Sequence, residues 1–217
     1  MVVYRRSGKA ALDDLLSKYK LISVPTNAGW SSATGGSGGG ALEPFRLYVN
    51  TGATASSTAR FYDLVNGLNS GDIQRNCADW TKRLELNFWV ARDNSDPEVA
   101  ARFQLKESSS EGILAQRGIG ISISNFTMVG EAYGTARGTC GLGALTHTQI
   151  ARIKIVKETD RVEFWVNGVL AGTLTGSAVP SVRGTEVVYL VASIINGTTG
   201  GVDAYLLVGN IWIVQEW

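Results

Sequence analysis

Residues that build chemical sites are scarce in this chain of 217 residues, which has two cysteines and one histidine. Two cysteines, Cys77 and Cys140, are too few for a disulfide framework or a zinc cluster. We interpret both as small buried apolar residues, and a single disulfide bridge between them is the alternative. His147 would need a neighbouring nucleophile and an orienting acid to act in a catalytic triad, so we interpret it as a surface or edge residue.

An excess of charge of either sign is also lacking. There are 20 lysines and arginines against 19 aspartates and glutamates, for a net charge of +1. The basic residues form no stripe, so neither nucleic acid nor a membrane is predicted as a partner. No apolar run reaches membrane-spanning length, and residues 1–9 lack the apolar segment of a secretory signal. We therefore expect a protein without a signal peptide that is synthesised in the cytoplasm.

Glycine and alternating apolar residues are what the sequence has in abundance. Glycine accounts for 26 of the 217 residues, above the roughly 7% of average proteins. Apolar side chains recur at every second position in many segments separated by turn-like residues, which is typical of half-buried strands. We predict an all-β fold of two antiparallel sheets packed as a sandwich. Core rows are assigned to Leu84, Leu86, Phe88 and Val90, to Val99, Ala101, Phe103 and Leu105, and to Ala151, Ile153 and Ile155.

The strongest local signal is Asn167-Gly168, which separates two alternating runs within residues 149–174. Asn-Gly favours a two-residue type I′ turn, because both central positions of that turn need positive φ. We therefore predict a hairpin with this structural turn. The predicted opposing pairs are Val166 with Val169, Phe164 with Ala171 and Val162 with Thr173 on one face, and Trp165 with Leu170 on the other.

Other segments have weaker local interpretations. Residues 45–49 and 59–61 flank a turn of small residues and are predicted to form a hairpin. The apolar alternation of residues 119–123 slips at Ser124-Asn125, which predicts a β-bulge, and residues 130–143 are interpreted as a glycine-rich loop. Residues 26–40 are polar and glycine-rich, typical of a flexible linker or of a loop that lets backbone approach other strands.

One helix is predicted, with Ser7 as its N-cap and Lys20 at its end. It either packs on the rim of the sandwich or docks on a partner subunit. The candidate docking residues fall at helical spacing and are Leu12, Leu15, Leu16 and Tyr19. The predicted organisation is an N-terminal arm with this helix over residues 1–24 and a sandwich over residues 25–217.

Acidic residues give little sign of catalysis. A glycoside hydrolase on a sandwich needs two facing carboxyl groups, and no predicted strand carries Asp or Glu at positions i and i+2. We therefore assign no catalytic residue and expect a protein that is not an enzyme. Asp93, Asp96 and Glu98 cluster in one turn as calcium candidates, but their spacing differs from an EF-hand loop, so the default is a polar turn and no cofactor.

Aromatic residues could supply a platform on which sugars stack. The candidates for ligand binding are Trp30, Trp80 and Tyr133, because they lie in predicted loops or at strand ends, where an exposed aromatic is informative. Trp89, Trp165 and Trp212 lie within predicted strands, and we assign them to the core.

The run Arg152-Ile-Lys-Ile-Val-Lys, followed by Arg161-Val-Glu-Phe-Trp-Val-Asn-Gly, resembles the penultimate hairpin of concanavalin A-like (laminin-G-like) jelly rolls. Pro180 fits the proline-containing loop that follows in that family. Residues 30–60 are similar to the opening hairpin of such domains in structural proteins of tailed phages and related viruses. The resemblance implies a jelly roll over about residues 25–217. The family's Glu-x-Asp-x-Glu glycanase motif and the metal-ligand run of legume lectins are absent, so no defined site is implied.

This resemblance leads to two hypotheses about function. The first is a non-enzymatic virion protein, either a capsid decoration or the head domain of a spike or tail fibre, with itself and other virion proteins as partners. The alternative is a lectin-like module that binds a cell-surface glycan. A glycoside hydrolase is disfavoured by the missing carboxylate pairs. The fold hosts many functions, so the choice between the hypotheses depends on the site.

Overall fold

The structure is a computed structural model that describes residues 19–24, 30–43, 46–65, 77–93, 98–110, 113–146, 149–198 and 204–216. Within these ranges the regular elements are β-strands, apart from one short 3₁₀ helix, Gly176–Ala178. The strands are β1 (Tyr19–Val24), β2 (Ser31–Gly35), β3 (Gly39–Glu43), β4 (Arg46–Asn50), β5 (Thr58–Leu64), β6 (Cys77–Asp79), β7 (Leu84–Asp93), β8 (Ala100–Lys106), β9 (Gly118–Ser124), β10 (Thr127–Tyr133), β11 (Arg137–Ala144), β12 (Ile150–Lys157), β13 (Arg161–Val166), β14 (Val169–Thr175), β15 (Arg183–Val187), β16 (Tyr189–Ile195) and β17 (Tyr205–Glu216).

Two large antiparallel sheets make up the molecule. Sheet A has eight strands in the order β14-β13-β12-β7-β17-β4-β3, and β1 also pairs with β17. Sheet B has seven strands in the order β11-β10-β9-β8-β16-β5-β2, and β6 pairs with β15 in a small separate ladder. The predicted all-β sandwich of two antiparallel sheets is confirmed.

The core lies between the sheets and contains the alternating rows predicted from the sequence. The row on β7 and the row on β12 are at most 3% exposed, and both come from sheet A. Phe88 of sheet A packs against Phe103 of sheet B with ring centroids 4.5 Å apart. Burial of one such side chain contributes about 1.5–3 kcal/mol, so these rows hold the sheets together.

The Asn167-Gly168 turn forms as predicted, with φ of 51° and 85° at its two residues. Val166 opposes Val169 and Trp165 opposes Leu170, also as predicted. The next two predicted pairs are wrong, because the register shifts between Phe164 and Trp165, where Ala171 is an extra residue on β14. Phe164 opposes Gly172 instead of Ala171, and Val162 opposes Leu174 instead of Thr173. The extra residue turns Ala171 and Thr173 outward and lets the half-buried Leu174 pack against the core.

The pattern slip after Ile123 is a hairpin turn and not the predicted bulge. Strands β9 and β10 pair directly, and the two residues between them, Asn125 and Phe126, have φ of 47° and 56°. These values match a type I′ turn, although Phe126 is an unusual residue for it. Most of the predicted glycine-rich loop at residues 130–143 also belongs to strands, because β10 continues to Tyr133 and β11 begins at Arg137.

The predicted hairpin of residues 45–49 with 59–61 does not form. Strand β4 lies in sheet A beside β17, whereas β5 lies in sheet B beside β16. The turn between them crosses from one sheet to the other and is held at both ends. Thr51 N–H donates to the Ala204 carbonyl, and the Ser57 carbonyl accepts from Asn196 N–H. These long-range bonds replace the local pairing that the sequence suggested.

The N-terminal residues that are described form a strand. Tyr19 and Lys20, the predicted end of the helix, lie in β1, which pairs with β17 from Tyr19 opposite Glu216 to Val24 opposite Ile211. The helix therefore does not reach Lys20, because residues 211–216 of β17, beyond the part that pairs with β4, offer backbone partners to this segment. The rest of the predicted helix, including Leu12, Leu15 and Leu16, lies outside the described residues.

The glycine-rich segment 26–40 is interpreted from its sequence either as a flexible linker or as a loop whose backbone approaches other strands. The described part of the segment fits the second interpretation. It forms β2 and the start of β3, which belong to different sheets. A Cβ added to Gly38 would lie 2.2 Å from the Thr58 carbonyl oxygen, and one added to Gly52 would lie 2.3 Å from the Ser37 carbonyl oxygen. Only glycine allows the chain to pass so close to itself at this edge.

Candidate functional site

The outer face of sheet A, which points away from the core, carries aromatic and basic side chains. Side chains alternate along a strand, so the inward rows of β7 and β12 determine which of their residues point outward. Because Phe88 and Val90 point inward, Trp89 and Asn87 point outward. Because Ile153 and Ile155 point inward, Arg152 and Lys154 point outward. On β13, Trp165 is half-buried beside the inward Phe164.

A bulge on β17 brings Trp212 to the same outer face. Leu206 and Val208 point inward, but farther along the strand Ile211 and Ile213 take the inward positions. The inward–outward alternation of β17 changes at Asn210. This residue has φ of 49° and lies where the pairing register with β7 shifts, between Gly209 and Trp212. Trp212 is consequently 41% exposed. Bulges often re-aim a side chain in this way.

These residues surround a groove of about 520 Å³. Strand pairing aligns Trp165, Lys154, Asn87 and Trp212 in one row across β13, β12, β7 and β17. Three strand spacings separate the two tryptophans of the row, a Cα distance of about 14 Å. Trp89 lies two residues along β7, about 7 Å to one side of the row. The lining consists of Asn87, Phe88, Trp89, Ile150, Arg152, Ile153, Lys154, Trp165, Gly168, Asn210 and Trp212.

The charged groups that line the groove are both basic. The ammonium of Lys154 lies over the ring of Trp165, 4.6 Å from its centroid, in a cation–π contact. Arg152 pairs directly with Trp89 across β12 and β7. The backbone of Arg152 is fixed by the Asn167 turn, since its N–H donates to Asn167 Oδ1 at 2.9 Å and its carbonyl accepts from Asn167 N–H at 2.8 Å.

Two glutamates lie on the same outer face beside the groove, but each is engaged by its neighbours. Glu85 and Glu163 flank Val156 on β7 and β13. Glu85 accepts hydrogen bonds from Arg83 at 2.8 Å and Asn87 at 2.9 Å. Glu163 accepts from Arg161 at 2.7 Å and Trp165 at 3.3 Å. The hydrogen bond from Arg161 is the main cause that lowers the pKa of Glu163, which is the opposite of what a general acid needs.

Two of the predicted ligand-binding aromatics lie in the core. Trp30 is 9% exposed and Trp80 is fully buried. The indole N–H of Trp80 donates to Glu107 at 2.8 Å, so its polar atom is satisfied internally. Neither ring can stack on a ligand from solvent. The burial and hydrogen bonding of these turn residues come from contacts distant in sequence, which local patterns do not reveal.

Tyr133 is half-buried and lines a second, polar cavity of about 470 Å³ with Glu107, Gln116, Arg117, Gly134 and Glu186. Burial raises the pKa of Glu107 above its usual value, although hydrogen bonds from Trp80 and Arg117 oppose this. Both carboxylate oxygens of Glu107 are occupied, one by Trp80 and one by Arg117 at 2.8 Å. The carboxylate of Glu107 is therefore engaged within the protein, and this cavity shares no lining residue with the tryptophan groove.

The calcium candidates do not form a site that the structure describes. Asp96 lies outside the described residues, and Asp93 ends strand β7. The carboxylate of Glu98 accepts hydrogen bonds from the backbone N–H and the hydroxyl of Thr198, at 3.0 and 3.3 Å, and so ties two turns together. Among the described residues, no cluster of three or more His, Cys, Asp or Glu side chains is arranged to hold a metal ion. His147 also lies outside them.

Cys140 is a free thiol, and it packs half-buried against the core. Burial raises the pKa of this thiol. A Cβ added to Gly172 of the neighbouring edge strand would lie 2.6 Å from its sulfur. Cys140 therefore acts as a small apolar residue at the seam between β11 and β14, as the sequence suggested.

Comparisons with known proteins relate this chain to others through its fold. No protein family and no curated protein matches the chain. Among solved structures, the chain is similar to SCLam, a non-specific endo-β-1,3(4)-glucanase from family GH16, with a TM-score of 0.62, 14% identity, and coverage of 93% of this chain and 92% of that one. It is similar to the carbohydrate recognition domain of Emp47p, with a TM-score of 0.56, 11% identity and 90% coverage of both chains.

A third similar structure comes from botulinum neurotoxin type C, whose cell entry is described as dependent on two ganglioside molecules. The TM-score is 0.58 at 9% identity, and the match covers 93% of this chain but only 49% of the toxin chain. In the part of the chain described here, no helix is long and apolar enough to cross a membrane. At such low identity these likenesses show the fold alone. The chain has the jelly-roll sandwich that the resemblance to concanavalin A-like domains implied.

Proposed function

We propose that this chain is a carbohydrate-binding protein and that it binds its ligand in the groove between Trp89, Trp165 and Trp212. The observation that carries the proposal is the clustering of three tryptophans around one groove on the outer face of sheet A, with Trp212 41% exposed and the other two half-buried. A large exposed aromatic costs solvation free energy, so a cluster of them marks a binding surface better than any single apolar residue.

The chemistry of the groove suits a sugar. A pyranose presents C–H groups on its faces and hydroxyls around its edge. Aromatic faces pack against the C–H groups, while a few polar side chains orient the hydroxyls. Here Trp212 and Trp89 offer the aromatic surface, and Asn210 offers an amide that both donates and accepts hydrogen bonds. Asn87 already donates to Glu85, and its amide oxygen can accept from a ligand. The volume of about 520 Å³ lies within the usual range for a ligand site.

Binding without cleavage is part of the proposal. None of the described residues that line the groove is acidic. Glu85 and Glu163, the two acids beside it, each accept hydrogen bonds from two side chains. Hydrolysis of a glycosidic bond needs one carboxyl group free to donate a proton and another free to act as base or nucleophile. The groove lacks both.

The similar structures support a carbohydrate ligand over the virion role. One of them is named for carbohydrate recognition, one for cleaving glucans and one for interacting with gangliosides. None of these names bears on a virion. The virion role, the homo-oligomer and the docking helix therefore stay predictions from the sequence.

A glycan array with the full chain tests the proposal, followed by calorimetric titration of the best ligand. Trp212→Ala is expected to weaken binding by roughly tenfold or more, because it removes the most exposed stacking surface of the site. Tyr62→Ala is the matched control, since Tyr62 is a half-buried aromatic on the outer face of sheet B. Equal effects of the two substitutions, or an array without any bound glycan, would contradict the proposal.

A further inference from the structure

The geometry points to an acidic saccharide, one that carries carboxylate or sulfate groups, as the ligand of the tryptophan groove. This inference rests on the proposed function and goes further by assigning the ligand class. Arg152 and Lys154, the two charged residues in the lining, are its basis. The chain as a whole has a net charge of only +1, so their charge is a local property of this groove.

Among the described side chains of this outer face, Arg83 and Arg161 are paired with acids, whereas Arg152 and Lys154 form no salt bridge. Arg83 forms salt bridges with Glu85 and Glu158, at 2.8 and 3.0 Å. Arg161 forms salt bridges with Asp160 and Glu163, at 3.1 and 2.7 Å. Among the described residues, no carboxylate lies within salt-bridge distance of Arg152 or Lys154. Their positive charges consequently remain available to a ligand.

The acids beside the groove are engaged by side chains other than Arg152 and Lys154. Glu163 is near enough for Lys154 to contribute to its lowered pKa, but its oxygens are taken by Arg161 and Trp165. Glu85 is held by Arg83 and Asn87 on the neighbouring strand. An anionic ligand in the groove thus meets two cations directly, while both nearby carboxylates are engaged by arginines outside the lining.

Arg152 and Lys154 differ in the contact that each can make. Arg152 projects from a backbone fixed on both sides by Asn167, and its guanidinium can bind a planar carboxylate or a sulfate through two parallel hydrogen bonds. Lys154 is a point charge held over the ring of Trp165. Arg152 is therefore assigned the specific recognition of the acidic group, and Lys154 a general electrostatic attraction.

Matched pairs of saccharides test this assignment. The probes are oligogalacturonate and its methyl ester, sialylated and desialylated lactose, and sulfated and unsulfated lactose, each titrated into the full chain at physiological salt. The acidic member of the preferred pair is expected to bind about tenfold or more tightly than its neutral partner. Arg152→Gln is expected to remove most of this preference, and Arg152→Lys to restore only part of it.

Lys82→Gln is the matched control, because Lys82 is an exposed basic residue outside the groove. It is expected to leave the preference unchanged. If neutral and acidic partners bind equally while Trp212→Ala abolishes binding of both, the acidic ligand class is wrong and the carbohydrate function stands. If Arg152→Gln and Lys82→Gln reduce binding alike, the preference is diffuse electrostatics, and the assignment of Arg152 is wrong. If no saccharide of any charge binds, both proposals fail together.

Discussion

At the scale of single residues, Gly130 on β10 shows how closely the core is packed. A Cβ added there would lie 2.7 Å from the ring of Phe164 on the opposite sheet. Such a distance is well inside van der Waals contact, so the ring or a strand would have to move. Gly141 on the neighbouring strand has no heavy atom within 4 Å of the same added Cβ.

Gly130→Ala is therefore expected to lower the free energy of unfolding by about 1–3 kcal/mol through overpacking. Gly141→Ala, its control, is expected to change it by less than about 0.5 kcal/mol, as exposed sites usually do. Urea unfolding of the two variants checks this. Equal stabilities would mean that Phe164 does not pack over Gly130.

Tryptophan positions show how far single residues could be predicted. Trp89 alternates with the inward row of β7, so the sequence already placed it on the side of Glu85 and Asn87. The hairpin register likewise placed Trp165 opposite Leu170 on the outer face. The alternation of the sequence therefore indicated an outward position for both Trp89 and Trp165. We nevertheless assigned them to the core, because tryptophan is generally a buried residue. The indole N–H of the buried Trp80 donates to Glu107, which is 27 residues away, and no local pattern predicts that contact.

At the scale of elements, bulges and turns decide which face a side chain takes. Strict alternation from Leu206 and Val208 places Trp212 in the core, and the bulge at Asn210 reverses that. A one-residue irregularity on β17 therefore creates the exposed platform. Sequence patterns predict strands well but not such phase changes, because a bulge is stabilised by the neighbouring strands and not by its own residues alone.

Asn210 itself carries a testable consequence of this bulge. Its φ of 49° lies in the left-handed region, where asparagine and glycine are tolerated and a β-branched residue is strained. Asn210→Val is expected to destabilise the protein by about 1–2 kcal/mol, and Asn210→Gly to be nearly neutral. Thermal unfolding of the pair checks this, and a valine variant as stable as the glycine variant would contradict the assigned bulge.

At the scale of the whole molecule, the sandwich has a buried charge at one end. Lys157 is fully buried, and its ammonium donates to the backbone carbonyls of Trp80 and Lys82. Burial lowers its pKa to about 8, although Asp79 and Glu158 oppose the shift. The folded protein therefore releases this proton at a lower pH than the unfolded chain, in which lysine keeps its ordinary pKa of about 10.4.

Stability is consequently expected to rise with pH between about 8 and 10 because of this group, since the unfolded state binds the additional proton in that window. Lys157→Met lacks the titrating amine, so its unfolding free energy is expected to miss this rise, whatever its absolute stability. Urea unfolding of both proteins from pH 7 to pH 10 gives the comparison. Parallel pH profiles would show that Lys157 titrates alike in the folded and unfolded states.

The architecture as a whole was predictable where the pattern was local and regular. The alternating rows and the Asn-Gly turn predicted the sandwich and its most regular hairpin. The connection from β4 to β5 was mistaken for a hairpin, because its crossing between sheets depends on Thr51 and Ser57 meeting residues about 140–150 positions away. The groove also depends on contacts that are distant in sequence, because its four central side chains come from four strands that are aligned only in the folded sheet.

The central claim is that a ligand touches the outer face of sheet A through its tryptophans, and the most direct test is an NMR titration of the ¹⁵N-labelled indole groups. With the best-binding saccharide from the array, we expect the resonances of Trp89, Trp165 and Trp212 to shift in a saturable manner. Those of Trp30 and Trp80, which are buried, are expected to stay in place. Saturable shifts confined to Trp30 and Trp80, or unmoved groove resonances at saturation, would contradict the account.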